Sequence, residues 1–322
     1  MKIDRRLKDE VFPRMRADKI SLIAKKDSVI CAFGARYLLT HREKHFISST
    51  SRKMRELARI LIEVKKLEPS INTLFESLQP KYYDLLVEAT KCVAKYDTDK
   101  DMFLSPTFAM NISTSLKQCC DIAIHTIIKK EPTVEVATCE ASLKTMINLL
   151  TSNWKFDISS RAGNDLNINR FNKVTIVPLA SDIKLLKEYL ITKSKEALNK
   201  LNHSPTDIDA YNVLMETIFC RIIILNRRRP GELQRMLVHT YENAEISKDS
   251  YEEFSEAISK TEKILLKRFK RVVIRGKRGR GVPVIFDTDT QEDIKELLKI
   301  RPNFFGVNNP YLFGKPNLTT TI

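Results

Sequence analysis

The sequence predicts a mainly α-helical protein in two parts: a helical N-terminal domain over residues 1–165, and an α+β C-terminal domain over residues 176–322 with one β-hairpin. Three observations predict it. Apolar residues recur at i, i+3 and i+4 through most of the chain, the spacing of a single helix face. Only 8 glycines and 12 prolines stand among 322 residues, too few punctuating residues for a many-turned β fold. Between Phe269 and Phe286, two β-branched runs (Val272–Ile274 and Val282–Ile285) flank a turn built from Gly276, Gly279 and Gly281, the pattern of a hairpin with a longer loop.

Taken in order, residues 5–40 place Ile20, Ile23, Ile30 and Phe33 near one helical face. Ser48-Ser49-Thr50 offers capping hydroxyls for a following helix whose inward residues are Met54, Leu57, Ile60, Leu61 and Val64. Its other face carries Arg52, Lys53, Arg55, Arg59, Lys65 and Lys66, open to reading as a solvated surface or as a phosphate-tracking one. Pro69-Ser70 and Gln79-Pro80 punctuate two shorter helices. Asp97, Asp99 and Asp101 resemble the start of a calcium loop, but Met102 stands where glycine is needed and Phe108 where glutamate is. A polar interhelix loop is expected there instead. Helices follow from Pro106 to about Lys130 and from Pro132 to about Trp154. Periodicity then lapses from Asp157 to Thr175, so Ser159 to Asp165 is expected to be a linker, with the domain boundary near 160–176.

Beyond it, Pro178 to Asp182 starts a helix with Ile183, Leu186, Tyr189 and Leu190 on one face. Ser204 to Asp207 starts another, apolar almost all round from Val213 to Leu225, which places it at the centre of its domain. A charged helix from about Lys248 leads into the hairpin. Gln291 to Arg301 reads as a short surface helix, and Asn309 to Gly314 as a brief strand or turn.

Composition bounds the function. At 43% hydrophobic residues the chain can bury a core despite 30% charge. A net charge of +15 and a pI near 9.5 predict attraction to polyanions. No apolar run reaches the roughly 18–20 residues of a membrane span. Met1-Lys-Ile-Asp-Arg-Arg has no apolar stretch behind it, against a signal peptide. Six cysteines show no C-x-x-C spacing and five histidines are scattered, so reduced thiols in a nuclear or cytosolic protein are expected, with no metal and no cofactor.

Two basic stretches carry the chemistry. Arg275, Lys277, Arg278 and Arg280 crowd the hairpin tip, with Lys267, Arg268, Lys270 and Arg271 just before it. Like charges so placed repel, so the arrangement makes most sense facing an anion. Upstream, an apolar helix delivers Arg227-Arg228-Arg229-Pro230-Gly231-Glu232-Leu233. A rigidly placed guanidinium grips phosphate with paired hydrogen bonds, and a lysine supplies a proton donor or point charge.

The segment Arg229-Pro230-Gly231-Glu232-Leu233 resembles the first arginine box of the tyrosine recombinase (phage integrase) superfamily, arginine followed two residues later by Glu-Leu. Gly276-Lys277-Arg278 with the exit Val282-Pro283-Val284 resembles that family's hairpin lysine motif. More narrowly, Asn226–Leu233, Ile274–Val284, Asn309–Gly314 and Ser51–Arg59 are similar to Crypton-like integrases of animal genomes. The resemblance implies a helical core-binding domain before a partial catalytic domain, the two closing around double-stranded DNA. It gives Arg229 the role of phosphate clamp, Lys277 that of general acid and Glu232 that of a structural buttress. Arg227, Arg228, Arg275, Arg278, Arg280, Lys267 and Lys270 would contact DNA. The family's His-x-x-Arg box and nucleophilic tyrosine are not found: no histidine follows Lys277, Arg301 has no such box and Tyr311 is the only later tyrosine. The expectation is a truncated, cleavage-incompetent DNA-binding relic or a gene fragment, nuclear, able to self-associate or pair with a full-length homologue. A non-enzymatic helical interaction module with basic surfaces is the alternative. Lys267-Arg268-Phe269-Lys270-Arg271 would serve nuclear import in either case. A third reading, an active recombinase using a partner chain's tyrosine, needs a full-length homologue in the same cell.

Overall fold

A computed structural model describes residues 3–129, 133–172, 177–244, 259, 268–276, 279–305 and 309–316. The chain divides into two compact units, Met1–Thr175 and Ile176–Ile322, each with its own core. The architecture is mainly α; the strands among the described residues form two small antiparallel sheets of two strands each.

In the first unit a π-helical turn (Leu7–Val11) and a 3-10 turn (Phe12–Arg14) lead into α1 (Lys19–Lys26), α2 (Ser28–Thr40) and α3 (Phe46–Leu67). The predicted inward residues of α3, Met54, Leu57, Ile60, Leu61 and Val64, are all buried, and with Phe33 and Ile30 of α2 they form the centre of the core. The start of α3 differs from expectation. Phe46 packs edge-on against the His41 ring at 4.5 Å, and Ile47 is buried. These contacts draw the helix back past the three hydroxyls, and Thr50 Oγ1 donates to Phe46 O from inside the helix instead of capping it.

Asp27 shows how a buried carboxylate can organise this unit. It caps α2 by accepting from the Val29 and Ile30 N–H groups, and its second oxygen accepts from the Leu74 N–H at the start of α4 (Leu74–Ser77). Burial without such partners would cost several kcal/mol, roughly. α5 (Tyr83–Ala94), α6 (Pro106–Ile127) and α7 (Val134–Ser152) follow, and Trp154 is buried with Nε1 donating to Ala109 O at 3.4 Å.

Two expectations for this unit are corrected. The polar loop of aspartates is a small hairpin, β1 (Tyr96–Asp97) against β2 (Met102–Phe103), so the chain has a second hairpin in its N-terminal half. Asp97 Oδ1 tightens its turn by accepting from the N–H groups of Asp99 and Lys100. The predicted linker is helical: α8 spans Ser160–Phe171 and belongs to the first unit. Its anchor is polar, since the buried Asp165 accepts from the Phe103 N–H at 2.8 Å, while Ala162 and the preceding Ile158 supply a narrow apolar contact. Apolar periodicity does not register an anchor of that kind.

The second unit contains α9 (Ala180–His203), α10 (Ile208–Asn226), α11 (Pro230–Leu233), α12 (Val238–Glu242), the hairpin of β3 (Lys270–Arg275) and β4 (Gly281–Phe286), and α13 (Thr288–Ile300). The charged helix expected from Lys248 lies outside the described residues. On α9, Leu190 is buried but Ile183, Leu186 and Tyr189 stand exposed. α10 is not apolar all round: Val213 and Leu225 are exposed, and Arg221 is buried in an ion pair with Asp293, which also accepts from Ser194 Oγ. That pairing joins α9, α10 and α13. The helix α13 is therefore a core element rather than a surface one, with Ile294 and Leu297 fully buried. Tyr311 forms an antiparallel bridge with Leu237, clasped by Arg301 Nη2 donating to Tyr311 O at 2.9 Å.

The segment between the 3-10 turn and α1 is held to α3 by one ion pair. Arg55 Nη1 and Nη2 donate to the two oxygens of Asp18, each at 2.7 Å. This contact, with the Ser21 N–H that Asp18 caps, holds the Asp18 carboxyl well below the usual aspartate range. A depressed folded-state pKa contributes stability above the unfolded value near 3.9, and that stability is lost as pH falls through the folded one. Asp18→Asn keeps the cap and removes the charge. Melting temperatures measured across pH should show the variant below wild type by a constant amount from about pH 5 to 7, converging below about pH 4. A gap that does not narrow in acid contradicts this account.

Candidate nucleic-acid interface

The arginine run and the hairpin meet in the second unit. α10 ends where Arg227 adopts a left-handed conformation (φ 51°, ψ 36°), its N–H still donating to Ile223 O. Left-handed backbone costs a residue with a Cβ about 1–2 kcal/mol, which is why glycine is usual at such a helix end. The turn sends the chain directly into Arg228 and Arg229, both exposed. Pro230 then opens α11, with its fixed φ suited to a first helical position.

Asn226 ties this corner to the hairpin. Its side-chain amide donates to Ile285 O at 2.8 Å and accepts from the Ile285 N–H at 2.7 Å, so it occupies the outer edge of β4 as a third strand would. The hairpin pairs in regular register from Lys270↔Phe286 to Arg275↔Gly281. Val272, Ile274, Val284 and Phe286 face the core, which leaves Arg271, Val273, Arg275 and Ile285 on the outer face. At the tip, Gly276 N–H donates to Arg280 O at 2.7 Å, and Gly279 takes the left-handed conformation at φ 75°. A Cβ on Gly276 would lie 2.3 Å from Val282 Cγ2 and 3.4 Å from Glu232 Oε1, so this position requires glycine and lies directly beside Glu232.

The result is an open cleft of ≈ 600 Å³ lined by Arg227, Arg228, Arg229, Glu232, Arg280, Gly281 and Val282. Four guanidinium-bearing residues face one carboxylate. Glu232 is buried, with Oε1 3.8 Å from Arg229 Nη1. The Arg229 side chain remains 69% exposed, so this ion pair is worth roughly 0–1 kcal/mol and leaves the guanidinium free to exchange onto a ligand. Glu232 therefore does not neutralise the cleft.

The predicted site residues separate into groups. Arg227, Arg228, Arg229, Glu232 and Arg280 are brought together. Arg275 stands exposed at the tip end of β3, its Nε 4.0 Å from where a Gly279 Cβ would be. Lys270 is elsewhere: it begins β3 at the far end of the hairpin, half-buried with Nζ 4.3 Å from the Tyr241 ring centroid. Burial lowers its pKa, and the same burial raises that of Tyr241 to about 12. Lys267, Lys277 and Arg278 lie outside the described residues. Asn226, which sets the geometry, was not singled out by sequence reasoning; an asparagine directly after an apolar helix also suits a simple cap, and nothing in its spacing marks a partner 59 residues away. Among the described residues no group of histidine, cysteine and acidic side chains has the geometry of a metal site, and no helix is long and apolar enough to cross a membrane.

Comparison with family models, curated proteins and solved structures gives no match for this chain.

Two substitutions test the corner. Arg227→Gly relieves the left-handed strain and removes one cleft cation, so denaturant unfolding should show stability raised by about 1 kcal/mol while polyanion affinity falls. Asn226→Asp keeps the acceptor for the Ile285 N–H but sets an anionic oxygen against Ile285 O. It should lower stability by about 1–2 kcal/mol, more than Asn226→Ser; equal stabilities of the two variants would rule out the strand-like pairing.

Proposed function

We propose that this chain is a DNA-binding protein related to the tyrosine recombinases, and that the cleft between the arginine run and the hairpin holds the sugar-phosphate backbone of double-stranded DNA. The observation that carries the reading is the meeting of Arg227, Arg228 and Arg229 with Arg280 around one cleft, although the two stretches lie about fifty residues apart in the chain. Gly276 directly precedes Lys277 and lies beside Glu232, which supports the pairing of an arginine clamp and a hairpin lysine that the resemblance implies.

The chemistry suits a phosphodiester. Guanidinium groups present paired N–H donors to phosphate oxygens, and an open cleft admits a polymer that enters and leaves. The outer hairpin face alternates arginine with apolar residues (Arg271, Val273, Arg275), a surface able to contact phosphate and sugar together. A net charge of +15 adds long-range steering toward such a ligand. Nuclear residence belongs to the same reading, and the proposal is for binding alone.

Binding to a duplex should weaken steeply with salt, because each phosphate contact by Arg or Lys releases condensed counterions. Fluorescence anisotropy with a labelled duplex between 50 and 200 mM salt gives the slope of log K against log salt. Arg228→Ala/Arg229→Ala should reduce that slope by about 2, since each lost contact on B-DNA removes roughly 0.9. An unchanged slope in the double variant would falsify the assignment of this cleft.

A further inference from the structure

The first unit holds a second arginine cleft. On α3, Ser48, Arg52, Arg55 and Arg59 follow one another at spacings of four, three and four residues, one stripe of the helix surface, with Ser51 beside it. Arg14 and Arg16 come to this stripe from the turn before α1, and the seven residues enclose a cleft of ≈ 350 Å³. What brings the two segments together is the Asp18–Arg55 pair, reinforced by Arg55 Nη1 on Ser21 Oγ. Met15, buried between Arg14 and Arg16, anchors the turn in the core, so the two arginines flank a fixed point.

Charge here is unbalanced by construction. Asp18 engages Arg55 through both its oxygens. Glu56 reaches Arg52 only at 3.9 Å, and Arg52 is 70% exposed, so that pair neutralises little. Arg14, Arg16 and Arg59 have no acidic partner among the described residues and are exposed. The wall of the cleft also holds an unused hydrogen-bonding group. Ser51 is only 8% exposed, lines the cleft and makes no hydrogen bond among the described residues. Its neighbour Thr50 returns its hydroxyl to the backbone carbonyl four residues earlier, as buried helix hydroxyls commonly do. The Ser51 hydroxyl, reaching the cleft and not bonded back to the helix, is available with the exposed guanidinium groups to an oxyanion that accepts from both.

We infer that this cleft is a phosphate-binding socket in the first unit, distinct from the arginine–hairpin cleft, in which Arg14, Arg16 and Arg59 hold the oxyanion and the Ser51 hydroxyl donates to it from below. Arg55 is the positioning residue: fixed by Asp18, it sets the floor against which the ligand rests. The chemistry recognised is phosphate, whether a free phosphate or diphosphate or a phosphodiester of a nucleic-acid backbone. The inference does not depend on the function proposed for the second unit.

The test uses the full chain and two probes, inorganic pyrophosphate by titration calorimetry and a labelled duplex by anisotropy. Three variants are compared with wild type: Arg14→Ala/Arg16→Ala/Arg59→Ala, Ser51→Ala, and Arg228→Ala/Arg229→Ala. All three altered arginines of the first variant are exposed, and circular dichroism checks that each variant keeps its helical content. If the socket takes free phosphate, wild type binds pyrophosphate at a site that the N-terminal triple variant weakens at least 10-fold and that Arg228→Ala/Arg229→Ala retains, whatever that double variant does to a second site. If it takes backbone phosphate, the triple variant loses duplex affinity and its salt slope falls by about 2, whatever the C-terminal double variant does. Ser51→Ala should weaken the same probe by about 3- to 10-fold, the loss of one hydrogen bond to a charged group. The inference is overturned if the triple variant and Ser51→Ala bind both probes as tightly as wild type, or if only the C-terminal double variant weakens binding.

Discussion

The corner where α10 ends against β4 rests on a single amide. Asn226 gives Ile285 both a donor and an acceptor, replacing the two backbone bonds that an edge strand otherwise offers to solvent. A two-stranded hairpin alone is marginal in water. This one gains a buried face through Val272, Ile274, Val284 and Phe286, and a fixed edge through Asn226. Because the next residue turns left-handed, fixing the edge also fixes the direction in which Arg228 and Arg229 leave the helix. Position along the hairpin and aim of the arginines are thus one constraint. Loosening it would let four like charges move apart, which is the direction their own repulsion drives them.

The same logic explains why the buried ion pair of Arg221 and Asp293 sits where it does. It lies in the second unit's own core, joining three helices, and it leaves two guanidinium nitrogens of Arg221 without partners. Such a pair is weak evidence of added stability, since desolvation offsets most of the attraction. What it does structurally is bridge α10 to α13, with Ser194 of α9 on the same carboxylate.

Much of this was legible in the sequence, and what was missed has a common cause. Helices with a clean apolar stripe, α3 and α6 above all, were readable because burial there follows the 3.6-residue period. The hairpin was readable because β-branched runs and glycines coincide. The cleft's arginines were readable as a cluster of charge. The failures lie where polar groups do the anchoring. α8 is held by Asp165 on a backbone N–H, α13 by Asp293 on an arginine, and the edge of β4 by Asn226; each looks like a surface residue when only hydrophobic spacing is read. The start of α3 failed for a related reason, since an aromatic contact with His41 outweighed three hydroxyls suited to capping. Lys270 was grouped with the tip by its neighbours in sequence, yet a hairpin separates its two ends in space, and the base of this one is packed on Tyr241.

Both clefts solve one electrostatic problem in the same way. Guanidinium groups brought within a few ångströms repel by about 1 kcal/mol per pair in bulk water and by several where the local dielectric is lower. A protein can remove that cost by matching each cation with a carboxylate. Neither cleft does so. Asp18 is committed to Arg55 and sets its position; Glu232 is buried and reaches Arg229 only at 3.8 Å. In neither case does the acid cancel the field of the neighbouring cations. The residual repulsion is screened by water and salt at these exposed sites and would fall further on binding an anion. The proposed anionic ligands would account for two clefts, one in each compact unit, sharing this arrangement.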